Sequence, residues 1–597
     1  ILWRTVPRGI DPLGPDNVIV FGAGTLCGTH APTAGRTTVT TKSPATGLYL
    51  KSSVGGHWGA ELKRAGYGTL VIHGSSDTPV LLAIDDGSVR ILDATGVWGK
   101  DTRETNQAIK EELGHGFQVA CIGPAGEHLV KFAAIMFNTY NAAGRGGVGA
   151  VMGSKRLKAV AVRGTGALTV AHPLEYHEYA VELRHRLAAD TGSRNLSEYG
   201  TAGIIMTVNE ARGLTALNFQ EGHIEGAERI SGQYLRRAGY LKRRIACDSC
   251  GTGCHRYTAV DSGPYAGSHS GGPEYETLAA LGAGCGVTDT EVVLRANELC
   301  NLLGMDSISA GSVIQWAMEC WQRGLISSSD TDGLDMNWGN GESLLLLLQQ
   351  VAVREGFGSI LSDGVKMAAE RVGGDSWKWA VQARGLEQSR VETRLRLGYA
   401  LAFAVNPRGP DHLTTEVVAE SARTPEARAL VGRICGSEEY ATPYITDKRA
   451  ELVIWHEDCY AVTDALGLCA FATTLASAAA PQDMAKLFTL ATGIQQTEEQ
   501  IMQAGRRIVT LEKCFNVREG ATRADDKLPW RIMNEPVKDG PRAGFKNSPE
   551  QMNSMLDEYY ALHGWDVSSS WPRRATLLEL GLVDQTSQLA ALNRLVD

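Results

Sequence analysis

Ala159-Val160-Ala161-Val162-Arg163-Gly164 and, shortly after it, His172-Pro173-Leu174-Glu175-Tyr176-His177-Glu178-Tyr179-Ala180 mark the place where the hydrophobic pattern of this chain changes period. The first stretch is a short run of small and β-branched apolar residues closed by Gly, which reads as a buried strand. The second opens on Pro and continues with apolar residues at helical spacing. Upstream, the same short, punctuated runs recur at Val18–Phe21, Thr37–Thr41, Thr69–His73, Pro79–Asp86, Val89–Leu92 and Val119–Ile122. Downstream, helical periodicity recurs at Leu174–Ala189, Thr290–Leu303, Ser309–Arg323, Ser343–Glu355, Asp483–Ala491, Glu498–Glu512 and Gln551–Leu562. The fold class expected is α+β, β-rich at the N-terminus and mainly α-helical thereafter. Lys538–Asn547, rich in Pro, Gly and Lys, reads as a surface loop.

At 597 residues the chain exceeds one compact core and should divide into about three or four domains. Hydrophobic residues at 43% and charged residues at 21% give ample material for burial, so disorder is not the default. A net charge of -9 excludes a nucleic-acid binder, which needs a basic face, and suits a small basic electron carrier better. Of 12 cysteines, three crowd into one stretch and the others are scattered, which points to reduced thiols and a cytoplasmic address. No apolar run approaches the roughly 18 residues of a membrane span; the stretch from Leu466 to Ala480 is short and broken by Thr and Ser. The start at Ile1-Leu2-Trp3-Arg4 is unlike a signal peptide and lacks Met, so a few residues are expected to precede it.

The strongest chemical signal is Cys247-Asp248-Ser249-Cys250-Gly251-Thr252-Gly253-Cys254. Soft thiolates bind Fe–S clusters or zinc, and this spacing lets one loop wrap three corners of a cubane while Gly251 and Gly253 permit close backbone approach. A zinc knot or unliganded thiols are the alternatives, although no second CxxC is present. Gly144-Arg145-Gly146-Gly147-Val148-Gly149 matches G-x-G-x-x-G, yet no acidic residue lies between Gly149 and Glu175, where a dinucleotide site would require one. Lys155, Arg156 and Lys158 follow instead, so the loop reads as an anion-binding nest or as a tight turn between packed strands.

Several blocks resemble the aldehyde:ferredoxin oxidoreductase family. They are Ala34-Gly35-Arg36, Lys42-Ser43-Pro44, Gly55-Gly56 continuing to Tyr67, Gly123-Pro124-Ala125-Gly126-Glu127 and the Gly-rich stretch from Ala142 to Lys155. Pro273-Glu274-Tyr275-Glu276-Thr277, Arg408-Gly409-Pro410-Asp411-His412-Leu413 and Asp464-Ala465-Leu466-Gly467-Leu468-Cys469 follow in the family's order. The resemblance runs from about Gly14 to Asn516. It implies a pterin-binding β-rich domain over 1–168, a helical domain over 169–390 with the three-cysteine loop, and a helical domain over 391–597 with the fourth cluster cysteine. It also implies a tungsten (or molybdenum) bis-pterin centre, one [4Fe–4S] cluster, and Mg2+ bridging the pterin phosphates.

By that resemblance Cys247, Cys250, Cys254 and Cys469 are the cluster ligands. Asp464, Gly467 and Leu468 form one pterin-binding block, and Asn301, Gly304 and Asp306 form the other, with Asn301 and Met305 departing from the family's usual Asp and Leu. Arg36 lies between pterin and cluster. Ser53, where Asn is usual, and Ala143 supply carbonyls for Mg2+, while Gly144, Arg145 and Gly146 receive the pterin phosphate. Glu276 and His412 are the expected acid–base pair for water attack on a carbonyl, with Glu274 the rival carboxylate. His255, beside the cluster loop, takes the ordinary structural reading, and no Glu-x-x-His iron site is expected. The implied activity is oxidation of an aldehyde to a carboxylic acid. Electrons would leave to ferredoxin or to an Fe–S subunit with a possible flavin/NAD subunit, within an oligomer. The alternatives are a dearomatising acyl-CoA reductase, with Cys285 or Cys300 as a metal ligand, and a non-catalytic electron-transfer subunit.

Overall fold

The computed structural model describes residues 1–422, 424–474 and 479–597. Its N-terminal part holds two sheets. A four-stranded antiparallel sheet runs in the order Tyr49–Val54, Thr37–Lys42, Ile19–Ala23, Thr69–Ile72. A six-stranded sheet runs Ser88–Asp93, Val80–Asp85, Leu157–Arg163, Gln118–Cys121, Ile135–Phe137, Asn141–Ala143, with only Val80–Asp85 and Leu157–Arg163 parallel. Strand alternation decides what each face meets. Ile19 and Phe21 point into the core between the sheets, where Trp58 packs tilted against Phe21 and edge-on against Phe137 and donates to the Val160 carbonyl at 3.1 Å. Val18 and Val20 point the other way, onto Phe515, Leu577 and Leu589 from the far end of the chain.

The change of period after Val162 is real: Leu157–Arg163 is a strand and Pro173–Ala189 a helix. Beyond it, one core gathers residues from Ala125 to Ala380 around the fully buried Trp316, and a second gathers Val381 to Trp565 with Phe219. Helices Thr290–Leu303, Ser307–Gln322, Gly341–Val353, Pro481–Thr492, Glu498–Glu519 and Pro549–His563 lie where periodicity puts them. The helix Arg449–Leu466 had no periodic signature because it is buried on nearly every side. One region departs from the helical expectation. Leu241–Ile245, His255–Ala259 and His269–Gly271 form a three-stranded antiparallel sheet in which Ile245 faces His255, so the three-cysteine loop is the connection of a hairpin. Lys538–Asn547 contains no helix or strand. Among the described residues, no helix is long and apolar enough to cross a membrane.

Candidate functional site

Cys247, Cys250, Cys254 and Cys469 are half-buried, whereas the other eight cysteines are buried; none is in a disulfide. Thr33 joins the two distant segments. Its amide donates to the Ser249 carbonyl at 2.9 Å and its hydroxyl accepts the Cys469 amide at 3.3 Å. The loop is pinned further by Asp248 N–H on the Gly56 carbonyl at 3.0 Å and by Ser249 Oγ on the Thr29 carbonyl at 2.7 Å. Burial raises Cys250 and Cys254 above the usual range, aided at Cys254 by Glu274 and at both by the neighbouring thiols, and burial pushes Cys247 up to about 11 although Arg36 opposes it. Cys469 acts on all three, so the four thiols share one space. Four soft thiols drawn from one loop and one distant segment are the donor type a cubane takes. Gly55 is required here, since a Cβ on it would lie 2.6 Å from Cys247 Sγ. The donor set therefore fits a cubane.

Arg36 carries the site inward. Its Nη2 donates to Cys469 Sγ at 3.3 Å, and Cys469 is the largest influence keeping it protonated, with Tyr460 next among the neighbours. Tyr460 is pushed up by burial and by Glu416 and Asp464, and Glu416 feels Arg36, His412 and Glu276. Burial pushes Glu416 up to about 7. Glu276 and His412 do meet, with His412 Nδ1 lying 3.6 Å from Glu276 Oε1, while His412 Nε2 lies 3.9 Å from Glu416 Oε1. The Arg390 amide fixes Glu276 with hydrogen bonds of 2.8 and 3.2 Å to its two oxygens. His412 Nδ1 and Glu416 Oε2 are buried and have no hydrogen-bond partner, an expensive state in a finished core and the usual condition of a site that binds something. Glu416 was missed from sequence. Its only signal is that it follows His412 by four residues.

Glu274 faces elsewhere. Its oxygens accept Thr201 Oγ1 at 2.5 Å and His255 Nδ1 at 3.0 Å, and its charge acts on Cys254. Burial works to raise it, but the His255 contact prevails and holds the carboxyl below its usual range. Two residues of separation on a short helical turn thus send Glu274 to the cysteine side and Glu276 to His412.

The two expected pterin blocks dock on the N-terminal sheets. Ala465, Leu466 and Gly467 carbonyls accept the amides of Thr25, Leu26 and Arg36 at 3.1, 2.8 and 3.0 Å. The Gly304 carbonyl accepts Ala134 N–H at 2.8 Å, and Asp306 N–H donates to the Phe132 carbonyl at 3.0 Å. Asp464 Oδ2 lies 3.0 Å from buried Lys51 Nζ, which also approaches Glu512 at 3.5 Å. Asp306 caps its helix through Ile308 N–H and accepts Ser309 Oγ and Arg145 Nε at 2.8 and 3.1 Å. Asn301 donates to Ser270 Oγ at 2.8 Å and to the Gly271 carbonyl at 3.1 Å.

The Gly-rich loop departs from the anion-nest reading in its cations. Lys155 Nζ is turned onto the Asn17 and Gly74 carbonyls at 2.6 and 2.9 Å, and burial lowers it to about 8. Lys158 is paired with Glu127 and with the Lys100 carbonyl, and Arg156 is exposed. The carbonyls at Asn17, Gly74 and Lys100 lie in connections outside the strands, and these lysines satisfy them, so they bind protein and not ligand. Arg145 is likewise buried between Asp306, Asp411 and the Glu387 carbonyl. Gly146 and Gly147 have φ of +83 and +88°, and Ser43 Oγ donates to the Gly146 carbonyl at 2.8 Å, which leaves backbone at Gly144 open. Ser53 and Ala143 lie on strands that abut where the two sheets meet, and Ser53 Oγ is buried without a partner.

Comparison with known proteins agrees over nearly the whole chain. The family described as aldehyde ferredoxin oxidoreductase matches in its N-terminal domain over residues 1–164 and in its domains 2 and 3 over residues 178–582. The tungsten-containing aldehyde ferredoxin oxidoreductase of Pyrococcus furiosus is 37% identical over 98% of this chain and 93% of its own, and that of Pyrococcus abyssi 39% over 97% and 93%. An aliphatic sulfonate oxidoreductase, WOR-like subunit, of Pyrococcus furiosus is 29% identical over 100% and 93%. Among solved structures, the active site complex BamBC of benzoyl coenzyme A reductase with 1,5 dienoyl-CoA superposes with a TM-score of 0.85 at 29% identity, covering 99% of this chain and 93% of that one.

Proposed function

Because the chain belongs to the aldehyde ferredoxin oxidoreductase family, we propose that it oxidises aldehydes to carboxylic acids at a tungsten (or molybdenum) bis-pterin centre, with one [4Fe–4S] cluster on Cys247, Cys250, Cys254 and Cys469 as electron exit. The observation that carries this is Arg36, which touches the thiol of Cys469 and belongs to the same charged group as Glu416, His412 and Glu276. An aldehyde and water become a carboxylate with release of two electrons and three protons, so a buried site needs both exits. When bound, the metal supplies the two-electron oxidation.

The chain's own residues handle the rest. Glu276, held by the Arg390 amide, is oriented to take a proton from attacking water, and His412 Nδ1 is free to donate to the carbonyl oxygen. Glu416, neutral up to about pH 7, relays protons from His412. Asp464 and the backbone at Gly467 and Leu468 hold one pterin, and Asn301, Gly304 and Asp306 the other. Gly144 and Gly146 would frame the phosphates, with Arg145 behind them held by Asp306 and Asp411, and Ser53 and Ala143 would hold Mg2+. Since a single cluster cannot store both electrons, they pass to ferredoxin or to a cytoplasmic Fe–S partner subunit.

The benzoyl-CoA reductase likeness raises a dearomatising alternative, but its candidate metal ligands argue against it. Cys285 and Cys300 are buried in an apolar core, and burial pushes Cys285 up to about 12. Elemental analysis with a viologen-linked screen of aldehydes and benzoyl-CoA tests the proposal. About one tungsten or molybdenum and about four irons per chain, with aldehyde-dependent dye reduction, are expected. Iron without tungsten or molybdenum, or turnover of benzoyl-CoA alone, would overturn it.

A further inference from the structure

The surface around the cysteine loop has the opposite sign from the chain as a whole. From Arg229 to Cys247 there are six cations, Arg229, Arg236, Arg237, Lys242, Arg243 and Arg244, and no Asp or Glu, in a protein of net charge -9. The strand Leu241–Ile245 that leads into the loop exposes Lys242, Arg243 and Arg244. Arg244 lies against Gly253, where a Cβ would come within 3.1 Å of its Cδ, and Arg256 contacts the Cys254 carbonyl at 3.3 Å. Arg236 and Arg244 both act on Arg256, so the like charges gather over Cys254. Their acidic neighbours are few: Glu198 pairs with Arg236 at 2.7 Å, Asp261 with Lys242 at 2.5 Å and Glu228 with Arg229 at 3.9 Å, all at the surface.

We propose that this basic face is the docking surface for a small, freely exchanging acidic electron-carrier protein, which receives electrons through the hairpin loop holding Cys250 and Cys254. The inference rests on the cluster assignment above and replaces the basic carrier that net charge suggested. Local charge outweighs net charge because a Debye length of about 8 Å limits a partner to what lies under its footprint. The carrier exchanges, as opposed to belonging to a permanent subunit, because no large hydrophobic residue between Arg229 and Arg256 is exposed, and permanent interfaces are built on apolar centres. Charge without apolar surface speeds encounter and leaves dissociation fast.

The test uses the cluster-loaded enzyme, an acidic bacterial ferredoxin and, as small acceptor, benzyl viologen. In the wild type, ferredoxin binding measured by calorimetry should weaken steeply with salt, while viologen reduction should not. Lys242→Glu/Arg243→Glu should weaken ferredoxin binding and raise its KM by roughly tenfold or more, with cluster EPR and viologen turnover unchanged. Should charge reversal lower the yield of folded protein, Arg237→Ala/Arg243→Ala gives the same readout with a smaller shift. Unaltered ferredoxin affinity and salt dependence at full cluster content would overturn the proposal, as would preference for a basic carrier such as cytochrome c. Calorimetric binding is read without aldehyde turnover, so loss of the docking inference is distinguishable from failure of the functional reading.

Discussion

The helices Thr290–Leu303 and Arg449–Leu466 both stop at a glycine in the left-handed region, Gly304 at φ +73° and Gly467 at φ +80°. Both press that turn onto a glycine of the β base: a Cβ on Gly123 would lie 2.5 Å from the Leu303 carbonyl oxygen, and one on Gly24 2.1 Å from Gly467 N. The blocks correspond position by position, Asn301 with Asp464, Met305 with Leu468, and Asp306 with Cys469. The apolar positions stay apolar, while the polar positions change character and their partners differ accordingly. Asp464 faces a buried lysine and Cys469 faces Arg36 and the cysteine loop, whereas Asn301 is occupied by Gly271 and Ser270 and Asp306 by Arg145 and its own helix. One backbone device thus seats two chemically distinct ends, one proposed to be redox-linked and one whose polar groups are satisfied within the protein.

The largest effect should come from breaking the redox-linked end. Cys469→Ala is expected to abolish the cluster, read by absorbance and EPR, although over 200 residues separate it from Cys254. Retention of a normal cluster would sink the assignment. In the space between the blocks, Glu276→Gln and His412→Asn should lower turnover by about 10²–10⁴-fold at normal tungsten and iron content. Full activity in both at full occupancy would remove them from the mechanism. At the position matching Cys469, Asp306→Ala should instead keep the cluster and cost about 3–5 kcal/mol in denaturant unfolding, because Arg145 is left buried with one carboxylate fewer. Unchanged stability would contradict a structural role.

Glu416 sharpens the comparison through pH. Burial raises its carboxyl to about 7 from an ordinary value of 4.5. Its stabilising effect is therefore complete below the ordinary value and is lost as pH rises through about 7. Glu416→Gln should remove that loss and flatten any limb near pH 7 in the turnover profile. An unaltered profile would exclude Glu416 as the titrating group. The smallest effect is expected from Asn301→Asp, which restores the family's usual residue but replaces a donor with an acceptor facing the Gly271 carbonyl. It should cost about 1–3 kcal/mol by thermal unfolding. A stabilised variant would show that the loop around Gly271 adjusts freely.

Sequence alone settled the change from strand to helix after Val162, because periodicity is a local property that burial on one face imposes residue by residue. It also singled out the three loop cysteines, whose close spacing is a local feature. It could not show what each polar side chain would face. Lys155 and Lys158 looked like an anion site and are turned to carbonyls of connecting segments; Glu274 and Glu276 looked interchangeable and point to different partners; Glu416 carried almost no local signal. The hairpin around the cysteine loop was hidden because its strands carry charges where buried strands carry apolar residues. Tertiary structure decided these points because a buried polar group takes its partner from whatever segment closes over it. In this chain Thr33 meets Ser249 and Cys469, and Arg145 meets Asp306 and Asp411, across separations that no sequence period spans.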